Sequence, residues 1–231
     1  MTLLTFCKPA KTKGNADMST IDMTKCQIAK SGNIITPKGR LSYAQFLLEP
    51  QERVYEDTGK KDKTYNLNLV LPPGSDLLEL KKKMGKIALE KCNGDKNRAK
   101  NLVEKRFLDP NNLPQGGKPM GEEFEGWTLI RAASRYKPKF AYPNGKEIPT
   151  EEIENELYSG RWARVTINPY WTDNKKNPGV CLGLQNIQLL DHAENLGANI
   201  PNAEDEFDSV DDSDASEVGS SVSDNEVDDM F

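Results

Sequence analysis

The last 29 residues of this 231-residue chain, Ala203–Phe231, contain twelve acidic side chains and neither lysine nor arginine. They offer little apolar surface, so burial there cannot offset the entropy of ordering the backbone. The segment reads as a disordered acidic tail, and a fold must be built from the residues before it. Without the tail, residues 1–202 hold 24 acids against 31 bases, a net charge of +7, whereas the whole chain carries −5. A basic body joined to an acidic tail points to a polyanionic ligand and to a tail that competes for the same surface. The bland alternative is a tail that only solubilises. The chain ends Asp228-Asp229-Met230-Phe231, however, and a solubilising tail has no need of two large apolar side chains. A terminal ring beside an α-carboxylate suits an apolar pocket rimmed by cations, a known mode of C-terminus capture. These four residues are therefore the candidate partner-binding site.

Several function classes drop out. No apolar run approaches the roughly 20 residues of a membrane span, and Met1–Phe6 is too short for a signal peptide. Cys7, Cys26, Cys92 and Cys181 are scattered and His192 is the sole histidine, so neither a disulfide framework nor a metal site is expected. No cofactor is expected either. Gly116-Gly117-Lys118 fails as a phosphate loop, because Asn112 and Pro119 stand where Gly and Ser or Thr are required. Asp191-His192 has no serine motif nearby, and Glu151, Glu152, Glu154 and Glu156 read as a solvated helix face. The chain is expected not to be an enzyme.

Three segments follow: a loose arm at 1–23, one folded domain at 24–202, and the tail at 203–231. Strands are expected on both sides of Ser31-Gly32-Asn33, the better one running from Arg40 to Glu49 and stopped by Pro50. Tyr65–Leu71 alternates as a half-buried strand, and Pro72-Pro73-Gly74 ends it. A helix capped by Ser75 or Asp76 runs to about Cys92, with Leu77, Leu80, Met84, Ile87 and Ala88 on one face. A shorter helix follows over Lys96–Phe107, then a Pro/Gly-rich loop over 109–126. Strands resume at Trp127–Tyr136, Arg161–Trp171 and Val180–Leu190, with a short helix near Glu151–Leu157 capped by Thr150. The fold class is mainly β with an inserted helix: an OB-fold-like barrel of five or six strands. If Lys25–Ile35 supplies a strand, the main helix falls between the third and fourth strands.

The aromatic residues carry the functional signal. All three tryptophans lie between Trp127 and Trp171. On Arg161–Trp171, Ala163, Val165 and Ile167 share the core face. Trp162, Arg164, Thr166, Asn168 and Tyr170 share the other. Rings interleaved with cations suit unpaired bases and phosphates. Trp127, Arg131 and Arg135 share a face of the earlier strand, and Lys137 extends it. Lys60, Lys61 and Lys63 on one hairpin, with Lys175 and Lys176 on another, would flank an OB groove. Arg161, Trp171 and, more weakly, Tyr43 complete the candidate DNA-binding set. Core packing is the competing role for Trp127 and Trp171, and plain solvation for each lysine.

A resemblance adds to this reading. Leu41-Ser42-Tyr43-Ala44-Gln45-Phe46-Leu47-Leu48-Glu49-Pro50 opens it. Trp162–Leu190 continues it, including Asn177-Pro178-Gly179-Val180 and Gly183-Leu184-Gln185-Asn186-Ile187-Gln188. Leu196-Gly197 and the acidic run to Phe207 follow. Over roughly residues 38–208 the chain resembles a bacteriophage family of single-stranded DNA-binding proteins, itself similar to the replication single-stranded DNA-binding proteins of short-tailed coliphages. The resemblance implies an OB fold and single-stranded DNA binding in phage replication, recombination or repair, in the cytoplasm of an infected bacterial host. It also implies a tail that docks replication proteins such as a polymerase or helicase-primase. The 93–126 segment departs from the family pattern. Two other readings stay open: a protein-interaction module or DNA mimic acting through the tail, and an RNA-binding OB protein. The sequence leaves open whether the protein works alone or as a homodimer.

Overall fold

The computed structural model describes residues 21–54, 61–114, 118–174 and 178–197. Nine strands and three helices form in the order β1 (Gln27–Ile28), β2 (Ile34–Ile35), β3 (Gly39–Ser42), β4 (Gln51–Val54), β5 (Lys61–Leu71), α1 (Leu78–Lys91), α2 (Lys96–Glu104), β6 (Thr128–Ser134), β7 (Lys139–Ala141), α3 (Thr150–Glu156), β8 (Trp162–Thr172) and β9 (Gly179–Leu189). Five strands close into a ring: β3 pairs with β5, β5 with β6, β6 with β9, β9 with β8, and β8 with β3. Within the ring all pairings are antiparallel except β6–β9; outside it β7 also pairs with β9 in parallel. Stepping from Trp162 through Arg40, Val70 and Leu129, then along the parallel offset to Gly179, returns to β8 at Thr172, ten residues on. Such a stagger means strongly tilted strands. The ring is the expected OB-like, mainly β fold.

Alternation builds the core. Leu67, Leu69 and Leu71 of β5, Ile130 and Ala132 of β6, and Ala163, Val165 and Ile167 of β8 point inward and are buried. Helix α1 lays Leu80, Met84 and Ala88 against the same core, all three fully buried. Asp95 caps α2 by accepting a hydrogen bond from the Arg98 amide at 3.0 Å. Ala99 and Val103 are its buried positions. Among the described residues no helix is long and apolar enough to cross a membrane.

Four expectations change. First, the main helix follows the 25–35, β3 and β5 strand segments as expected, but 25–35 supplies two short strands, β1 and β2, that lie outside the ring, so among the ring strands the helix stands between the second and third. Second, β3 stops at Ser42. Tyr43 adopts the left-handed conformation (φ 55°), and a 3-10 turn over Ala44–Leu47 buries Ala44 and Leu47. Ala44 and Leu47 are thus turned inward at a compact corner, while Gln45 stays exposed. Third, β5 begins at Lys61, because β4 pairs with it from Gln51↔Thr64 to Val54↔Lys61. Fourth, Pro149 occupies the cap position of α3 and Thr150 is its first residue.

Arg161 also changes role. It is 3 % exposed. Its Nε and Nη2 donate to the Leu190 carbonyl at 3.3 and 3.0 Å, and its Nη1 meets the Glu156 carboxylate at 2.5 Å. It ties the end of α3 to the end of β9, so it has no donor facing a ligand and leaves the DNA-binding set.

Two outcomes follow. A Cβ on Gly39 would lie 2.7 Å from the Val70 carbonyl oxygen and 2.9 Å from Leu71 Cδ2. Gly39→Val should therefore cost about 1–3 kcal/mol through overpacking at the β3–β5 contact, measured by urea unfolding. Arg161→Gln should cost about 2–3 kcal/mol, less than breaking a fully buried pair because Glu156 is 28 % exposed. The folded Arg161→Gln protein should keep its affinity for polyanions.

Candidate nucleic-acid interface

The register of the ring sets out the candidate surface. On the outer face of β3, β5 and β6, Ser42 stands opposite Asn68, and Asn68 opposite Arg131. Asn66 stands opposite Ala133 in the next outward row. Arg131 is exposed and Asn66 and Asn68 are half-buried, giving a polar platform with one exposed cation.

The row on the other side belongs to Trp162, Arg40, Val70 and Leu129. Val70 and Leu129 face outward yet are buried, because Phe124 clusters with them and Leu108, Leu113, Met120, Trp127 and Leu196 pack over the cluster. Asn111 holds that segment: its Oδ1 accepts from the Met120 and Gly121 amides at 3.1 and 3.0 Å, and its Nδ2 donates to the Gly121 carbonyl at 2.8 Å. Leu108 and Leu129 exchange backbone hydrogen bonds at 2.9 and 2.8 Å.

Trp127 emerges from this packing, edge-on to Phe124 at 5.1 Å. It stacks on Trp162 at 6.1 Å between ring centroids, with the planes 29° apart. Lys38 Nζ lies 4.7 Å and the Arg40 guanidinium 5.5 Å from the Trp162 ring centre, within cation–π range. Lys38 is placed by the chain after β9, and Arg40 by that chain together with the residues just before β8. Lys38 pairs with Asp191 at 2.6 Å, which holds the Asp191 carboxyl below the usual carboxylate range. Arg40 donates to the carbonyls of Gly160 and Glu194. Beside Trp162 opens a cleft of ≈ 270 Å³, also lined by Lys38, Met23, Pro72, Pro73 and Ser75.

Trp127 and Trp162 thus come together, joined by Lys38 and Arg40, which sequence reasoning missed, while Arg131 lies on the outer face of β6, with β5 and β3 between it and Trp162. Arg40 is brought to Trp162 by β3–β8 pairing between residues more than a hundred apart, and no local pattern records it. The Gly39 between the two cations was the only hint.

The other candidates divide. Arg164 was expected to pair with Trp162 on an open face. It does point outward, but it is only 9 % exposed. Its Nε donates to Gln188 at 2.7 Å, its Nη1 has no partner, and burial holds its pKa down. Tyr43 is 48 % exposed and stacks with Phe46 at 6.1 Å. Tyr170 is 46 % exposed, on the same face of β8 as Trp162 but near the far end. Trp171 packs its ring on the core and donates Nε1–H to Asp173 at 2.6 Å.

Arg135 is exposed and paired with Asp62 at 2.8 Å, and Lys137 is exposed. Lys61 pairs with Glu52 at 2.7 Å. Lys61 and Lys63 share the parity of inward Leu67, whereas Asp62 and Thr64 share that of Asn66 and Asn68. β5 therefore turns Asp62, and not Lys61 or Lys63, toward its outer face. Lys60, Lys175, Lys176, Asp228, Asp229, Met230 and Phe231 lie outside the described residues.

Comparison with known proteins bears on the family and the fold. Residues 32–217 match the family model for the ssDNA-binding protein of Enterobacter phage Enc34. The solved single-stranded DNA-binding protein from bacteriophage Enc34 in complex with ssDNA is similar at 21 % identity and a TM-score of 0.55, over 79 % of this chain and 100 % of that one. Another structure of the Enc34 protein gives 22 % identity and a TM-score of 0.53, over 82 % and 97 %. At these identities the likeness is one of fold, the OB-like ring. No curated protein matches the chain. The family match spans most of the sequence, and the chain belongs to the family of phage single-stranded DNA-binding proteins represented by that of Enterobacter phage Enc34.

Proposed function

We propose that the protein is a non-enzymatic, largely sequence-independent single-stranded DNA-binding protein serving phage replication, recombination or repair in the cytoplasm of an infected bacterium. The observation that carries this reading is the stacked Trp127–Trp162 pair, with Lys38 and Arg40 at the Trp162 ring, beside the Asn66–Asn68–Arg131 platform. Rings accept any base, and cations follow the phosphate backbone without reading sequence. A base entering the cleft would meet Trp162 and the faces of Pro72 and Pro73. Its phosphate would compete with Asp191 for Lys38. Arg131 would neutralise the next stretch of backbone, and Tyr43 would border the path.

The acidic tail completes the proposal. Its twelve carboxylates would screen the basic body until DNA displaces them. The freed Asp228-Asp229-Met230-Phe231 end would then dock replication proteins such as a polymerase or helicase-primase.

Titration with oligo-dT at several salt concentrations, followed by tryptophan fluorescence, tests the reading. Quenching should weaken as salt rises, with a slope of about −0.7 per phosphate contact. Trp162→Ala should weaken binding by about 1–3 kcal/mol, roughly five- to 150-fold. Arg131→Ala should reduce the salt slope by about one contact. Absence of quenching and of binding at low salt would overturn the proposal, and tighter binding of matched oligo-U would move it to RNA. In the same titration residues 1–202 should bind oligo-dT more tightly than the full chain. Weaker binding by residues 1–202 would disprove competition by the tail.

A further inference from the structure

The positive charge of the body is concentrated away from the Trp162 face. The thirty residues Leu78–Phe107 hold ten lysines and arginines against four acids, a net of +6. Residues 1–202 together net +7. The stretch that holds α1 and α2 thus carries nearly all of the body's excess charge, +5 of it within the two helices themselves. Some of these cations are locally paired: Lys82 with Glu79 at 2.8 Å and Lys100 with Glu104 at 3.8 Å. Lys86, Lys91, Lys96 and Arg98 are exposed, and no ion pair engages them among the described residues. Core packing accounts for Leu80, Met84, Ala88, Ala99 and Val103; it does not account for the cations.

The pair also adjoins the strand that carries Trp162. Lys83 Nζ donates to Asn168 Oδ1 at 3.3 Å and to the Gly32 carbonyl at 2.7 Å. Asn168 shares the outward face of β8 with Trp162 and Tyr170, and both Asn168 and Tyr170 are exposed. At the end of α2, Arg106 Nη2 lies 3.3 Å from where a Cβ on Gly179, the first residue of β9, would stand. Eight residues of β8 separate Trp162 from Tyr170, a span of about 26 Å.

We propose that α1 and α2 form a second backbone-binding surface, which holds the phosphates of a DNA strand that continues beyond the Trp162–Arg131 face. This rests on the single-stranded DNA-binding reading above. A strand already held at Trp162 stands at high effective concentration over the helices. The exposed cations there are interleaved with Asn93, Asn97 and Asn101, donors suited to phosphate oxygens, and the exposed ring of Tyr170 lies on the intervening strand. A long oligonucleotide therefore uses both surfaces and a short one only the first.

The test compares oligo-dT of about 8 nucleotides, within the site size of one OB fold, with oligo-dT of about 30. Three full-length proteins are titrated over a salt series: the native chain, the triple variant Lys86→Gln, Lys91→Gln, Lys96→Gln, and a control triple, Lys30→Gln, Lys118→Gln, Lys146→Gln. Glutamine keeps helix propensity close to that of lysine, and both triples remove the same charge. The helix triple should lower the salt slope for the long oligonucleotide by about 2 and leave the short one unchanged. The control triple should move neither. Equal effects of the two triples, or an unmoved long-oligonucleotide slope with short binding intact, would overturn this proposal and leave the Trp162 face standing. Tighter long-oligonucleotide binding by the helix triple would show that the helices hold the acidic tail instead, and would also overturn it. Failure of both lengths to bind the native chain at low salt would remove the parent reading together with this one.

Discussion

Closure of the ring between β3 and β8 is the contact on which the rest of the molecule depends. It is short, with Gly39 opposite Ala163 and Arg40 opposite Trp162. The same Gly39 lets β3 lie close to β5 on its other side, where a side chain would strike the Val70 carbonyl. Without this contact the ring would open between β3 and β8 and leave β3 with an unpaired edge, a state that sheets avoid. With it, the two ends of a long chain are joined, and Trp162 meets the cations before and after Gly39. Stability and the candidate site therefore share one joint.

The chain over 108–114 and 118–127 shows how a connection can serve a site without lining most of it. It covers the apolar outward residues Val70 and Leu129, which would otherwise leave a greasy patch in the polar face. In doing so it carries Trp127 onto Trp162. The Asn111 hydrogen bonds supply the rigidity this requires, since a loop must satisfy its backbone groups to hold a side chain in place.

Charge is divided between surfaces in an uneven way. The Trp162 face holds few cations, and Lys38 and Arg135 there are matched to acids. The stretch that holds α1 and α2 carries nearly all of the excess. An aromatic face with sparse charge favours close stacking, while a diffuse basic face acts through the field at longer range. The acidic tail, of opposite sign, adds a third player to the balance.

How much of this was legible in the sequence follows from the range of the interactions involved. Local alternation made β5, β6, β8 and β9 readable, because Leu67, Leu69, Ile130, Val165 and Ile167 repeat with the pleat. The helical spacing of Leu80, Met84 and Ala88 did the same for α1. The family resemblance was also on the page, as was the contrast between a basic body and an acidic tail. Parity correctly separated Trp162 from Val165, but it says only which way a side chain points. Whether that side is open depends on what else arrives. Arg164 points outward and is buried beside Gln188, and Arg161 is taken up by Glu156 and Leu190. Lys38 and Arg40 reach Trp162 through a pairing that only ring closure creates. The sequence by itself determined the elements and their inner faces, because those rest on neighbours two to four residues apart. The tertiary structure alone decided which outward residues meet and which stay exposed, because those contacts join segments separated by most of the chain.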